Sequence, residues 1–508
     1  MKRKQYKPWQ PDQLYLLPPS PREWLSKDHL VYFLLDIIGE LDVSAIERQA
    51  LGGDPRGEQP YNSRMMLALL IYGYCTGVRS SRKIERATYE SVPFRVLAGG
   101  CHPDHSRISD FRKTHIKALK GLFLQILRIC QKAGLVKLGH VALDGTKIKA
   151  NASKHKAMSH ERMMKREAEL EAEIAQLLLE AAASDAAEDA EFGKNKRGDE
   201  LPKELARREK RLETIRKARA ELEAEAKAAR AKQVAEREAA KRTDPPDSPA
   251  PPVLPTHQVA HDAEGAPKPK AQRNFTDSDS RIMKQGSDFQ QAYNCQNVVD
   301  AANQIIVAED VTNQPPDAEH LPAMVDATIQ NTGATPDVMS ADAGYWSAEN
   351  DDHCEKRGID AHIAIRRQKH GENVTEAMTD PADPAEPTAR AERVVATARA
   401  EPTASAEPTE PTASAEPTAP AAPAAPLNRK KRMMEKLATE RGRAIYARRK
   451  VIVEPPFGHI KANRGFRQFL LRGIDNVRGE WTLACMCHNL LKLFTTGARE
   501  PRLALAGE

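Results

Sequence analysis

A mixed α/β core joined to an all-helical N-terminal region is the fold class that the sequence predicts, and three observations predict it. Residues 1–135 carry apolar runs broken by capping and turn residues, the signature of successive helices. Residues 289–366 alternate short apolar strands with helical stretches, which is the pattern of a mixed α/β layer. Between these two regions, residues 155–242 are dense in charge and carry leucines at heptad spacing. The whole chain is not one compact globule, because 508 residues with 5% aromatics and 35 prolines leave part of it unable to pack.

Each element follows from local pattern. Tyr61–Tyr74 is a near-continuous apolar run with Ser63 placed to cap it, and Thr76–Ser81 breaks it and supplies serines for a second helix. That second helix carries Arg82, Lys83 and Arg86, and a third is expected from about Ser106 to Ile129. Helix, Gly-containing turn and basic helix is the outline of a helix-turn-helix, the expected DNA-binding element of residues 1–135. Residues 136–154 hold the first strand of the core, where Val141 and Leu143 alternate with Ala142 and Asp144.

Within 155–242, Met163, Leu170 and Leu177 fall seven apart, as do Leu205 and Leu212, and Ile215 and Leu222. Gly193, Gly198 and Pro202 separate the two sets, so the segment reads as an inserted antiparallel helical hairpin, a coiled coil with a thin seam. Residues 243–271 read as a linker. Residues 272–370 form the central part of the core: strands at Ala292–Val299 and Ile305–Val311, a helix over 318–329, a strand over Asp337–Asp342, a helix starting at Ser347 and a strand over Ala361–Ile365. Residues 371–426 repeat Ala, Glu, Pro and Thr and are expected to be disordered. Residues 427–495 complete the core, with Lys450–Val453 leading through Glu454 to a helix that begins at Pro455 and runs to about Leu471. Residues 496–508 are a tail.

Composition narrows the class of function. The longest apolar stretch, Met65–Cys75, is far short of the roughly 20 residues that span a bilayer. The basic N-terminus runs into Trp, Pro and Asp without an apolar core, so no secretory signal is legible. Seven scattered cysteines are no disulfide framework, which places the chain in a reducing cytoplasm. Residues 371–426 carry ten acidic and three basic residues, whereas 427–508 carry eighteen basic and seven acidic, a net of −7 against +11. The basic segment has the electrostatic footprint of a polyanion binder, or of a plain solvated face.

Two strand-borne aspartates stand out. Asp144 interrupts an apolar strand, and Asp342 ends another, followed by Ala343 and Gly344, which leave space around its carboxylate. Brought side by side they repel, and a divalent ion resolves that; oxygen-only ligation points to Mg²⁺ or Mn²⁺. Glu454 is expected at a strand-to-helix junction, with Lys461 two turns further along the same face. Cys101–His105 and Cys485–His488 contain zinc-ligand types but not the paired spacing of a structural zinc site, and no Walker loop or dinucleotide fingerprint occurs.

The segments LDGTKIKANAS (143–153), YNCQNVVD (293–300), ADAGY (341–345) and YARRKVIVEPPFGHIKANRGFRQFLLRG (446–473) resemble the DDE transposases of bacterial insertion sequences. The resemblance is greatest to the eleven-eighty-two type, which carries a helical insertion after the first Asp. It implies a ribonuclease-H-like catalytic core in which Asp144, Asp342 and Glu454 hold two Mg²⁺ or Mn²⁺ ions. The family's Tyr, Arg and Lys fall on Tyr446, Arg449 and Lys461; Lys450 has the family's spacing to the Glu, so either Arg449 or Lys450 fills the basic role. These residues would hold DNA phosphates, with Arg82, Lys83 and Arg86 recognising element ends.

The activity implied is metal-dependent cleavage and strand transfer on double-stranded DNA, at terminal inverted repeats and target, by a homo-oligomer in the bacterial cytoplasm, associated with the nucleoid and with no membrane. A non-catalytic DNA-binding scaffold and a metal-dependent nuclease on the same fold are the alternatives. Short inverted repeats flanking the reading frame distinguish them, since only the transposase requires those repeats.

Overall fold

A computed structural model describes residues 20, 23–51, 59–192, 203–239, 252–366 and 426–497. The low-complexity tract of 371–425, residues 1–19 and residues 498–508 lie outside the described residues.

The N-terminal region is helical, as its apolar runs predict: α1 (Leu30–Glu40), α2 (Ser44–Leu51), α3 (Ser63–Thr76), α4 (Ser81–Glu90), α5 (Val92–Ala98), α6 (His105–Thr114) and α7 (Leu119–Lys132). The cap of α3 is Asn62, not Ser63: the Asn62 side chain accepts from the N–H groups of Arg64 and Met65, and Ser63 is buried. The helix expected from Ser106 to Ile129 is two helices, α6 and α7, joined by a 3₁₀ turn at Ile116–Ala118. Gly77 ends α3 at φ +82°, the left-handed conformation that costs glycine least, and so turns the chain toward α4.

The core sheet begins with β1 (Val141–Lys149). A short β2 (Ala157–Ser159) leads into the helical hairpin, α8 (His160–Phe192) and α9 (Lys203–Ala239), and β3 (Gln272–Asn274) pairs back onto β2. Met163 and Leu170 bury against Leu212, Ile215 and Ala218, while Arg216 bridges Glu167 and Arg208 bridges Glu173, so the two helices run antiparallel. Residues 252–271 are not a free linker. Leu254 is buried, its N–H bonds Asp310, and Val259 packs on Leu222 and Ala226 of α9.

The sheet continues with β4 (Arg281–Gln285), β5 (Asp288–Asp300), β6 (Ile306–Thr312), β7 (Val338–Ala341) and β8 (Asp360–Ile363), with α10 (Leu321–Thr332) and α11 (Ala348–Lys356) between the later strands. Strand order is β4-β5-β1-β7-β8, with β6 also paired to β5. β5 runs antiparallel to each of its neighbours β1, β4 and β6, whereas β7 and β8 run parallel to β1. The C-terminal part consists of α12 (Pro426–Ala438), α13 (Glu440–Gly458), a π-helical turn at His459–Asn463 and α14 (Ile474–Thr495).

The largest departure from expectation lies in α13. Lys450–Val453 is no strand and Pro455 starts no helix; one helix passes through Pro455 and Pro456. Proline cannot donate to the carbonyl four residues back, and the carbonyl so freed at Val451 accepts instead from the Gln304 amide at 2.9 Å. Gln304 sits at φ +59° in the β5–β6 turn, which aims its side chain across at α13.

Helix α14 ties the layers together. Trp481, fully buried, donates to Asn297 on β5 at 3.0 Å, and Asn489 bonds both the N–H and the carbonyl of Ile306 on β6. Gly479 lets α14 approach the turn at Ile116, where a Cβ would stand 2.9 Å from the backbone carbonyl. Thr482 donates to Glu309 at 2.9 Å. Burial pushes the Glu309 carboxyl up to about 8 against Lys120, which acts to lower it. The folded state therefore holds a proton that the unfolded chain releases near pH 4.5, and the contribution of this side chain to stability falls as pH rises from about 5 to 8. Relative to Glu309→Gln, the wild type should lose stability steadily across this range, followed as the difference in urea midpoint; a difference that does not change with pH would sink the assignment.

Candidate active site

β1 and β7 pair in parallel with Leu143 opposite Ala341, so the residues that follow, Asp144 and Asp342, stand side by side where β7 ends. The Asp342 carboxylate accepts from the Gly344 N–H at 2.9 Å, which fixes it at the head of the tight turn Ala343–Tyr345. Asp144 is held by the Gly145 N–H at 2.8 Å and by the Arg449 guanidinium at 2.9 Å. Burial pushes the Asp144 carboxyl up to about 6; Arg449 opposes this and the Asp342 charge adds to it.

Helix α13 lies over this face of the sheet. Arg449 is buried, with its guanidinium 5.8 Å from the Tyr446 ring, and its Nε has no partner. Lys450, one residue on, points to solvent. Lys461 reaches back from the π turn to the Thr146 hydroxyl at 2.9 Å, two residues beyond Asp144 on the same strand. The structure thus gathers Asp144, Asp342, Tyr446, Arg449 and Lys461 around β1. Glu454 is exposed on α13 between Arg449 and Lys461 and makes no hydrogen bond or ion pair among the described residues. Arg82, Lys83 and Arg86 are exposed on α4, outside this cluster.

A polar network that sequence reasoning missed supports the two aspartates. The Tyr345 hydroxyl, fully buried, donates to the Gln296 carbonyl. The Gln296 amide donates to Asp317 at 3.0 Å, Asn294 donates to the same carboxylate at 2.6 Å, and Lys147 pairs with it at 3.4 Å. Gly145 makes this possible, because a Cβ there would collide with the Gln296 amide and lie 3.1 Å from the Tyr345 hydroxyl. The network pins the turn after Asp342 to β5 next to Asp144. The signal was present in YNCQNVVD, where Asn294 and Gln296 recur two apart and so share one face of the strand.

The histidine and cysteine clusters have other occupations. His102 stacks on Tyr89 and bonds Thr88, and His105 pairs with Glu85 at 2.9 Å. Cys485, Cys487 and His488 are buried on α14, and burial beside Arg464 takes His488 down to about 3. Among the described residues no group of three His, Cys, Asp or Glu side chains is placed to hold a metal ion, and no helix is long and apolar enough to cross a membrane.

Residues 255–490 match the family model of the transposase DDE domain, and residues 19–114 match that of a transposase domain, DUF772. Asp342 and Glu454 fall inside the first match, and Asp144 lies between the two. No curated protein and no solved structure matches the chain. With transposase models matching both its helical N-terminal region and most of its α/β core, the chain belongs to the DDE transposases of insertion sequences.

Proposed function

We propose that this transposase cuts DNA at the ends of its own insertion sequence and joins the ends to a target, on a ribonuclease-H-like core. The observation that carries this reading is the juxtaposition of Asp144 and Asp342 on paired parallel strands, inside a chain that matches the DDE domain. The path β6-β5-β1-β7-β8, with β5 antiparallel to both its neighbours and β7 and β8 parallel to β1 on the other side, supports the ribonuclease-H-like core.

Oxygen donors of the kind Mg²⁺ or Mn²⁺ takes stand together in Asp144 and Asp342, which share one corner of the site, and their mutual repulsion helps to hold the Asp144 carboxyl up. Asp144 and Asp342, with Glu454 from α13, would hold two such ions. Such ions would supply activation of water or of a DNA 3′-hydroxyl and charge stabilisation at the leaving oxygen. The chain's own part is positioning. Arg449 neutralises Asp144 and orients its carboxylate, the Tyr345–Gln296–Asp317 network fixes the Asp342 turn, and Lys461 holds β1 through Thr146. The exposed Lys450 and the α13 face around Tyr446 hold phosphates, and α4 reads the element ends through Arg82, Lys83 and Arg86. One copy at each end makes the working assembly a homo-oligomer, in the cytoplasm and on the nucleoid.

The test is cleavage of linear DNA carrying the sequences that flank the reading frame. Nicks that leave 3′-hydroxyls at short inverted repeats, present with Mg²⁺ or Mn²⁺ and absent with EDTA, are expected. Cleavage that ignores the repeats favours a nuclease, and its absence under all conditions returns the chain to a binding role.

A further inference from the structure

Past Asp144, β1 runs on to Lys149, and the chain then crosses Asn151–Lys156 to form one wall of an open groove of about 640 Å³. Its other walls come from the start of β5 and from residues 468–472. Three segments far apart in sequence are stitched together along its floor. The Ala150 N–H bonds the Gln291 carbonyl at 2.9 Å, the Phe469 N–H bonds the Lys149 carbonyl at 2.9 Å, and Arg472 Nε donates to the Asn151 carbonyl at 3.0 Å.

The groove is built of unneutralised positive charge. Lys149, Lys154, Lys156 and Arg472 line it and are exposed, against one acid, Asp288. Among the described residues none of the three lysines is ion-paired, whereas arginines of the helical hairpin bridge to glutamates repeatedly. Cations gathered without partners repel one another, and a polyanion relieves that repulsion. Phe289 adds an exposed ring, 56% accessible, at the rim. An extended strand rises about 3.3 Å per residue, so Lys149 lies roughly 16 Å along β1 from Asp144. That span equals about five nucleotides of one strand of duplex DNA at ~3.4 Å each.

We propose that this groove binds the sugar–phosphate backbone of duplex DNA flanking the reacting phosphate, with Lys149, Lys154, Lys156 and Arg472 on phosphates and Phe289 against a deoxyribose. The inference rests on the transposase reading and adds to it a binding track outside α4 and α13.

The test uses the full chain in EDTA with a labelled 30-base-pair duplex of random sequence, since phosphate contacts ignore sequence. Binding is measured across a salt series for the wild type and for a variant with Lys149→Gln, Lys154→Gln and Lys156→Gln. A second variant, with Lys210→Gln, Lys217→Gln and Lys227→Gln on exposed positions of α9, lowers the net charge equally. The slope of log affinity against log salt is expected to shrink by roughly 2–3 in the groove variant, at about 0.9 per lost phosphate contact, and to hold in the α9 variant. Phe289→Ala should weaken binding several-fold with the slope intact; an unaltered affinity removes the ring from the proposal. If the wild type binds and the groove variant keeps its slope, or loses no more than the α9 variant, the groove assignment is overturned and the transposase reading stands. If the wild type binds no DNA, both fall together.

Discussion

Asp144→Asn and Asp342→Asn are each expected to lower cleavage of element-end DNA by on the order of 10³-fold or more, because under the proposed function each removes a charge that would hold a metal ion, an effect on the scale of several kcal/mol. DNA binding in EDTA should change little, since the phosphate-holding residues proposed on α4 and α13 are left intact. Asn is nearly isosteric and still accepts from Arg449, so folding should be retained; circular dichroism checks this. Glu454→Gln is the sharpest of the series. Glu454 is exposed and unpaired, so its substitution cannot act through lost packing. A loss of the same size as at the aspartates places it in the reaction. Turnover within a few-fold of wild type would remove it from the triad and leave the two aspartates as the only assigned acids.

Glu480→Ala is expected to cost stability more than any surface change, by about 3–5 kcal/mol, the scale of stripping one partner from a buried charged network. Glu480 is fully buried on α14. It accepts from the Tyr74 hydroxyl of α3 at 3.0 Å and from the N–H groups of Leu470 and Leu471, and Arg79 stands 3.8 Å away. Truncation leaves three donors and a cation without their acceptor, besides a cavity. Glu480→Gln keeps the volume and one acceptor and should lose less. Urea midpoints measure both, and an alanine variant within about 1 kcal/mol of wild type contradicts the role given to this side chain.

Strand and helix identities from residue 289 to 366 were legible because apolar alternation, the Ser347 cap and the turn at Asp300–Asn303 are local signals. The pairing of Asp144 with Asp342 was legible as a need, two acids in apolar strands seeking a shared partner, and the register of β1 with β7 meets it. Helix α13 was misread because proline is locally a helix starter. Its continuation depends on Gln304, nearly 150 residues earlier, taking up the Val451 carbonyl. Local propensity carries no information about such a rescue. Residues 252–271 were misread for the same reason: proline and small residues look like a tether, but Leu254 and Val259 find buried seats supplied by β6 and α9. The support given to Asp342 by Tyr345, Gln296 and Asp317 likewise requires three chain segments that only the fold assembles.

Helix α14 is synthesised long after α3 and α7, yet α3, α7, β5 and β6 all complete their cores against it. At ~5–20 residues per second, the ribosome takes roughly 20–80 s to travel from the end of α3 to the start of α14. Throughout that interval the N-terminal helices have apolar faces with no permanent cover, and chaperones are their natural temporary one. The architecture therefore closes only once α14 has emerged, and a chain interrupted anywhere before it is expected to keep those apolar faces open and to be a target for proteases.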